Sequence, residues 1–240
     1  MDSLSTPLHE AVKAENYQDV KALILIGAEI NAKDGNNETP LCHAVEKNLV
    51  SIVEILLQNG ADIEAKNNLT LRTPLYVASA MGHLEIVKML LEKGAKMDVI
   101  DALGFTPIHV ASGSGHNLTV EASLHYGAEI QAEHSWSRNT PLHVAVQTIF
   151  GNDKTVKTLV QKGAKLDAKN IKGDTPIHLA AKFGRNYPQV LMLMRFGVFM
   201  NIRNHDGYTP IECALKENPF FDKYDAKLRN FKVISYNEMD

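Results

Sequence analysis

Cysteine is scarce in this chain: Cys42 and Cys213 are the only two in 240 residues. Two thiols so far apart make neither a disulfide framework nor a cysteine-based zinc site, and they suit a reducing compartment. A strong charge of one sign is also lacking. The formal net charge is −3, which gives no general attraction to nucleic acid or to an anionic membrane. Long apolar runs are missing as well. The longest candidate, "ALILIG" at 22–27, falls well short of the roughly 18 residues needed to cross a bilayer. The opening "MDSLSTPLHEAV" has neither the basic segment nor the apolar stretch of a secretory leader. These absences predict a cytoplasmic protein, with the nucleus also open to it, and no membrane partner.

Catalytic signatures are equally thin. C-x-x-C, H-E-x-x-H, G-x-S-x-G and the P-loop pattern do not occur. Cys42 stands beside His43, but adjacent helical residues do not face each other, so a packed thiol is expected rather than a nucleophile with its base. No enzymatic activity, small-molecule substrate, catalytic residue, cofactor or metal ligand is predicted.

What the sequence does have is a repeat. "TPLH" at 6–9 returns as "TPLC" at 39–42, "TPLY" at 73–76, "TPIH" at 106–109, "TPLH" at 140–143, "TPIH" at 175–178 and "TPIE" at 209–212. Successive threonines stand 33 to 35 residues apart. A second signal keeps step: Gly-Ala at 27, 60, 94, 127 and 163, then Gly-Val at 197. Periods of this length mark solenoids. The unit "TPLYVASAMGHLEIVKMLLEKGA" at 73–95 shows the local physics. Thr73 is a helix cap, and Pro74 suits the first helical position, where its missing N–H costs nothing. Gly82 ends the first helix in the left-handed conformation. Leu84, Val87, Leu90 and Leu91 give the second helix its apolar period, and Gly94 stops it. One such unit cannot bury both faces alone, so neighbours must stack.

Seven in-phase copies resemble the ankyrin repeat over nearly the whole chain, residues 1–240. The resemblance implies an all-α solenoid of stacked helix-turn-helix units joined by hairpin-like loops. It also implies that the motif histidines His9, His109, His143 and His178 hydrogen-bond locally and tie adjacent loops. On this register "SGSGH" at 112–116 is the turn inside repeat 4, not a phosphate cradle. His83 and His116 open second helices and have no evident metal partner.

Departures from the pattern are informative. The motif histidine becomes Cys42, Tyr76 and Glu212 in three copies, where looser junctions are expected. Repeat 5 carries two extra residues around 147–155 and repeat 6 one around 184–189. The hairpins "KNNLTLR" and "EHSWSRN" are each one residue longer than the others. Glu15 stands where glycine is preferred. Residues 218–240 lack a further Gly-Ala and read as a C-terminal cap. Charge is uneven: residues 1–150 balance to −8 and residues 151–205 to +7. The basic stretch has no interleaved aromatics and no helix-turn-helix signature, so no nucleic-acid partner is expected.

Residues that the repeat does not require mark the candidate site. The resemblance implies that hairpin tips and the exposed side of the first helices line a concave binding face. Mapped by register, that face holds Leu69, Arg72, Met81, Leu103, Phe105, Trp136, Arg138, Ile171, Asp174, Phe183 and Tyr208. Trp, Tyr and Arg are frequent binding hot spots. Phe105 and Tyr208, each directly before a motif threonine, are also placed to lean onto a neighbouring loop. The expected function is that of a monomeric, non-enzymatic scaffold, adaptor or inhibitor holding a protein partner. Two alternatives stay open: a regulator of an enzyme complex whose catalysis lies on another chain, and an IκB-like inhibitor or a microbial or viral effector. The resemblance also marks Asn31, after Glu29-Ile30 and with Leu23 upstream, as a match to the asparaginyl-hydroxylation pattern.

Overall fold

A computed structural model describes residues 4–67, 69–147, 152–182 and 187–217. Thirteen helices and no strands are present among them. The first helices of the seven repeats are α1 (Pro7–Lys13), α3 (Pro40–Glu46), α5 (Pro74–Met81), α7 (Pro107–Ser114), α9 (Pro141–Ala145), α11 (Pro176–Lys182) and α13 (Pro210–Glu217). The second helices are α2 (Tyr17–Leu25), α4 (Val50–Gln58), α6 (Leu84–Glu92), α8 (Asn117–His125), α10 (Asp153–Gln161) and α12 (Tyr187–Arg195). First helices stack on first helices and second on second, which makes the expected all-α solenoid. The longer turns of repeats 5 and 6 fall partly outside the described residues, and the proposed cap at 218–240 falls wholly outside them.

Local chemistry explains the helix ends. Thr6, Thr39, Thr73, Thr106 and Thr140 hold extended backbone angles before a proline at the first helical position. Gly82 and Gly115 close α5 and α7 with φ of 73° and 77°. In repeats 1 and 2 the same turn is made by Glu15 and Asn48, at φ 58° and 57°. Asparagine tolerates that conformation; glutamate is strained in it.

The core runs along the stack in two buried clusters. One gathers Leu8, Leu41, Leu56, Leu75, Ile86 and Leu90. The other gathers Leu142, Val156, Leu159, Ile177, Val190 and Leu193. Each interior repeat contributes apolar side chains to both of its neighbours, so burial is shared between units rather than completed within one.

Candidate protein-binding face

Four of the hairpins that precede first helices are built to one plan. A polar side chain at the hairpin base accepts from two backbone N–H groups of the tip. Asp34 Oδ1 takes those of Asn36 and Glu38, both at 3.0 Å. Asp101 Oδ1 takes those of Leu103 and Phe105, both at 3.0 Å. Asn170 and Asn204 repeat the arrangement. Adjacent tips are then joined by backbone hydrogen bonds: Ala102 N–H to Thr70 O at 2.8 Å, Ser135 N–H to Gly104 O at 3.3 Å, Ile171 N–H to Ser137 O at 2.9 Å and His205 N–H to Lys172 O at 3.1 Å. The tips therefore form one continuous row.

The motif histidines fasten the hairpins to the helices. His109 Nε2 lies 3.0 Å from Asn139 O, and its Nδ1 lies 2.7 Å from Thr106 Oγ1. His143 does the same with Asp174 O at 3.0 Å and Thr140 Oγ1 at 2.9 Å. His9 reaches Glu38 O at 3.0 Å and His178 reaches Tyr208 O at 3.2 Å. A carbonyl only accepts, so Nε2 carries the proton, and Nδ1 accepts from the threonine backbone N–H at 3.1 to 3.4 Å. Each ring must therefore be neutral. Burial agrees with this and lowers the pKa of both His109 and His143 to about 4.

A second set of ties was not foreseen from the sequence. His83 Nε2 lies 3.3 Å from Glu46 O, and His116 Nε2 lies 3.0 Å from Ala80 O. Each reaches back to the end of the preceding repeat's first helix, where carbonyls lack helical partners. Asn152 has the same role in repeat 5, donating to Ser112 O at 2.9 Å and Gly113 O at 3.2 Å. The inserted residues of that repeat hide its register.

The candidate residues divide by burial. Leu69, Leu103, Trp136 and Ile171 are 82, 53, 62 and 58 % exposed and sit one on each of four consecutive tips. Met81 is exposed at the end of α5. Arg138 is exposed and held by Glu133 in a two-point contact of 2.7 and 2.9 Å. Arg72 is half-buried, with its guanidinium 5.1 Å from the centre of the Tyr76 ring and its Nε 3.7 Å from Asp101. Between the hairpins before repeats 5, 6 and 7 lies a groove of ≈ 370 Å³, lined among others by Glu133, Arg138, Lys165, Lys169 and His205.

Four expectations need correction or limitation. Asp174 is only 1 % exposed. Its carboxylate accepts from Lys182 Nζ at 3.0 Å and Asn204 Nδ2 at 2.7 Å, so it braces hairpins and offers a partner nothing. Phe105 is half-buried, its ring centre 4.1 Å from that of His134, because His134 replaces the Asp or Asn of the hairpin base and presents an aromatic surface to it. Phe105 is thus packing, while Trp136 meets His134 edge-on at 5.8 Å and stays open. Tyr208 is half-buried with Lys216 Nζ 4.6 Å from its ring centre. Phe183 lies outside the described residues.

The remaining polar clusters have structural work. His9, Asp34 and His43 place potential ligand atoms within 4.8 Å of one another. His9 already uses both nitrogens, His43 Nε2 bonds Asp34 Oδ2 at 2.7 Å, and the Lys13 ammonium stands 3.7 Å from the same carboxylate. That arrangement is a satisfied hydrogen-bond network with its own cation. Cys42 is a half-buried thiol 3.4 Å from Thr39 Oγ1; burial raises its pKa, and His43 points to Asp34 instead. Asn31 bridges to the next repeat through Gly60 O at 3.1 Å and the Asp62 N–H at 2.7 Å.

A family model described as ankyrin repeats in three copies matches residues 8–101, and one described as ankyrin repeats in many copies matches 142–194. The ankyrin repeat domain of human ASB11 superposes with a TM-score of 0.75 at 30 % identity, covering 88 % of this chain and 92 % of that one. The chain belongs to the ankyrin repeat family. The ankyrin repeat domain of Bcl-3, described as a unique member of the IkappaB protein family, matches with a TM-score of 0.77 at 29 % identity over 89 % of this chain and 95 % of that one. The human palmitoyltransferase ZDHHC13 is 32 % identical over 215 residues, 90 % of this chain. This ankyrin array spans about a third of the length of its palmitoyltransferase relatives, 34 % in the human case.

Proposed function

We propose that this chain is a protein-binding module without catalytic activity of its own, and that it holds its partner along the row of hairpin tips. One observation carries the reading: four neighbouring tips each present an exposed apolar side chain, Leu69, Leu103, Trp136 and Ile171, on a backbone row that is itself hydrogen-bonded. A row of exposed large apolar groups is the usual mark of an interaction site. Strain supports it. The residue two before the motif threonine has positive φ in repeats 2 to 7, and Gly104, Gly173 and Gly207 adopt this easily. Leu71 and Arg138 hold φ of 54° and 56° in the two longer hairpins, those that carry Leu69 and Trp136. Non-glycine residues in that region cost free energy and cluster at functional sites. The partner's anchor is apolar, with the Arg138–Glu133 pair, Lys169 and Lys172 on the hairpins around it.

Within this class the likeness to Bcl-3 supports an inhibitor or adaptor role. The match to palmitoyltransferase relatives supports a second reading, in which the array recognises protein for an enzyme whose catalytic part is elsewhere. Both readings use the same face. The test is affinity capture from the native cell, identification of the partner, and measurement of its affinity for the wild type and for the Leu103→Ala, Trp136→Ala double variant. Both side chains are exposed, so melting should be unchanged. Affinity should fall by a factor of roughly thirty, about 2 kcal/mol. Equal affinity for the two proteins removes the tips from the binding site.

A further inference from the structure

The groove between the hairpins before repeats 5, 6 and 7 has a surplus of positive charge that the protein itself does not answer. Arg138, Lys165 and Lys169 line it, against one carboxylate, Glu133. Glu133 is already spent on Arg138, taking Nε and Nη2 and leaving Nη1 open. The Lys165 side chain has no hydrogen bond or ion pair among the described residues. Lys169 Nζ reaches only the Arg203 carbonyl oxygen, at a long 3.5 Å. Lys172, on the tip of the same hairpin, is exposed and has no side-chain partner among the described residues either.

The acids that could neutralise these lysines are turned elsewhere. Asp174 is buried and held by Lys182 and Asn204. Asp167 is exposed but does not line the groove. The repeat does not call for a cation at 165, since Glu29, Asp62 and Glu129 stand at that place in three other copies. The arginines of neighbouring hairpins are matched: Arg72 Nε lies 3.7 Å from Asp101 and Arg203 Nη1 lies 3.1 Å from Glu212. Unmatched charge is therefore concentrated on the hairpin before repeat 6. The groove is also bordered by the tips that carry Trp136 and Ile171, both exposed.

We propose that this groove takes an acidic segment of the partner protein, with carboxylates set against Lys165 and Lys169 and an adjacent apolar side chain against Trp136 and Ile171. The inference rests on the reading of the tips as the binding row and names the chemistry of what binds there. Charge complementarity selects the acids and orients the segment. Nucleic acid fits less well. It asks for a track of cations with several stacking rings, whereas this groove has a carboxylate in its wall and Trp136 is the one exposed ring on the two tips beside it.

The experiment pans the full chain against a displayed library of random peptides of about 12 residues. Enriched peptides should pair two or more Asp or Glu with an apolar residue. The best of them, synthesised and labelled, should lose affinity as salt is added, and should lose it at least about tenfold when its acids become amides. The Lys165→Gln, Lys169→Gln variant should bind it at least about tenfold more weakly. Its melting curve should be unchanged, because both side chains are exposed, and it should bind the amide twin as the wild type does. Enrichment of peptides without acids, or no loss in the lysine variant, overturns the inference. So does a single-stranded RNA of similar length that binds more tightly through the same lysines, or a salt-sensitive self-association that the lysine variant abolishes. The Leu103→Ala, Trp136→Ala variant separates the two readings. It should weaken the peptide and its amide twin alike. If it weakens neither while the lysine variant still fails to bind, the tips are excluded and the groove stands; the converse pattern removes the groove and leaves the tips.

Discussion

Repeats 4 to 6 and repeats 2 and 3 make the same joint with different chemistry. In the later group His109, His143 and His178 each donate across to the next hairpin and accept from their own threonine. In repeat 2, Cys42 offers only a 3.9 Å contact to Ala65 O. In repeat 3, Tyr76 reaches past the backbone and donates to Asp101 Oδ2 at 2.7 Å, with burial and that carboxylate together raising its pKa. The lesson is about charge. A ring that both donates and accepts works only while neutral, whereas a phenol or a thiol makes no such demand in mildly acidic solution.

Acid should therefore split the molecule, and this is the largest effect expected. Unfolded imidazoles take up protons near 6.5, whereas folded His109 and His143 do so only near about 4. Between those values the unfolded chain binds more protons. The stabilisation is full above about pH 6.5 and is lost as pH falls toward 4, on the order of 3 kcal/mol for each ring. Hydrogen exchange followed from pH 7 to 4.5 should show α7, α9 and α11 losing protection before α3 and α5. Uniform loss along the stack would remove the distinction between the joints.

Converting one joint into the other sharpens the comparison. Cys42→His should supply the missing ring, gain about 1 kcal/mol at pH 7.5, and make repeat 2 as acid-sensitive as repeat 4. Thermal melts at pH 7.5 and 5 test both parts; a gain that persists at pH 5 would mean that the ring acts by packing alone. The smallest effect concerns the hairpin between these two repeats. Leu71→Gly relieves a left-handed leucine and should stabilise by about 0.5 kcal/mol, less than the strain itself because glycine gains freedom in the unfolded chain. A urea midpoint that moves down would show that the Leu71 side chain contributes packing that outweighs its backbone strain.

Much of this architecture was legible in the residues. The threonine spacing located all seven first helices, and Thr-Pro marked each start because capping is a local event. The role of the motif histidine followed from family resemblance, and the structure adds that its tautomer is fixed. The site was less legible. Asp174 and Leu103 both belong to hairpins, yet one side chain turns inward to Lys182 and Asn204 while the other turns out. That choice depends on Lys182, eight residues on, and on Asn204, thirty residues on, in the next hairpin. Phe105 was misplaced for a similar reason: its packing surface comes from His134 in the next hairpin. The end-of-helix ties from His83 and His116 were readable in principle, as two histidines in equal register, but the two-residue insertion before Asn152 broke the series.

The row of joined tips has a mechanical consequence. Each histidine tie links one repeat to the next and to no other, so a pull along the stack loads the joints in series, and the chain is as strong as its weakest rung. Among these ties the Cys42 contact of 3.9 Å to Ala65 O is the weakest, although His83 Nε2 to Glu46 O at 3.3 Å and Asn37 Nδ2 to Lys66 O at 3.1 Å cross the same junction. Tension applied from both ends should tear the array between repeats 2 and 3, leaving the histidine-tied segment that carries Leu103, Trp136 and Ile171 intact as one stiff plank.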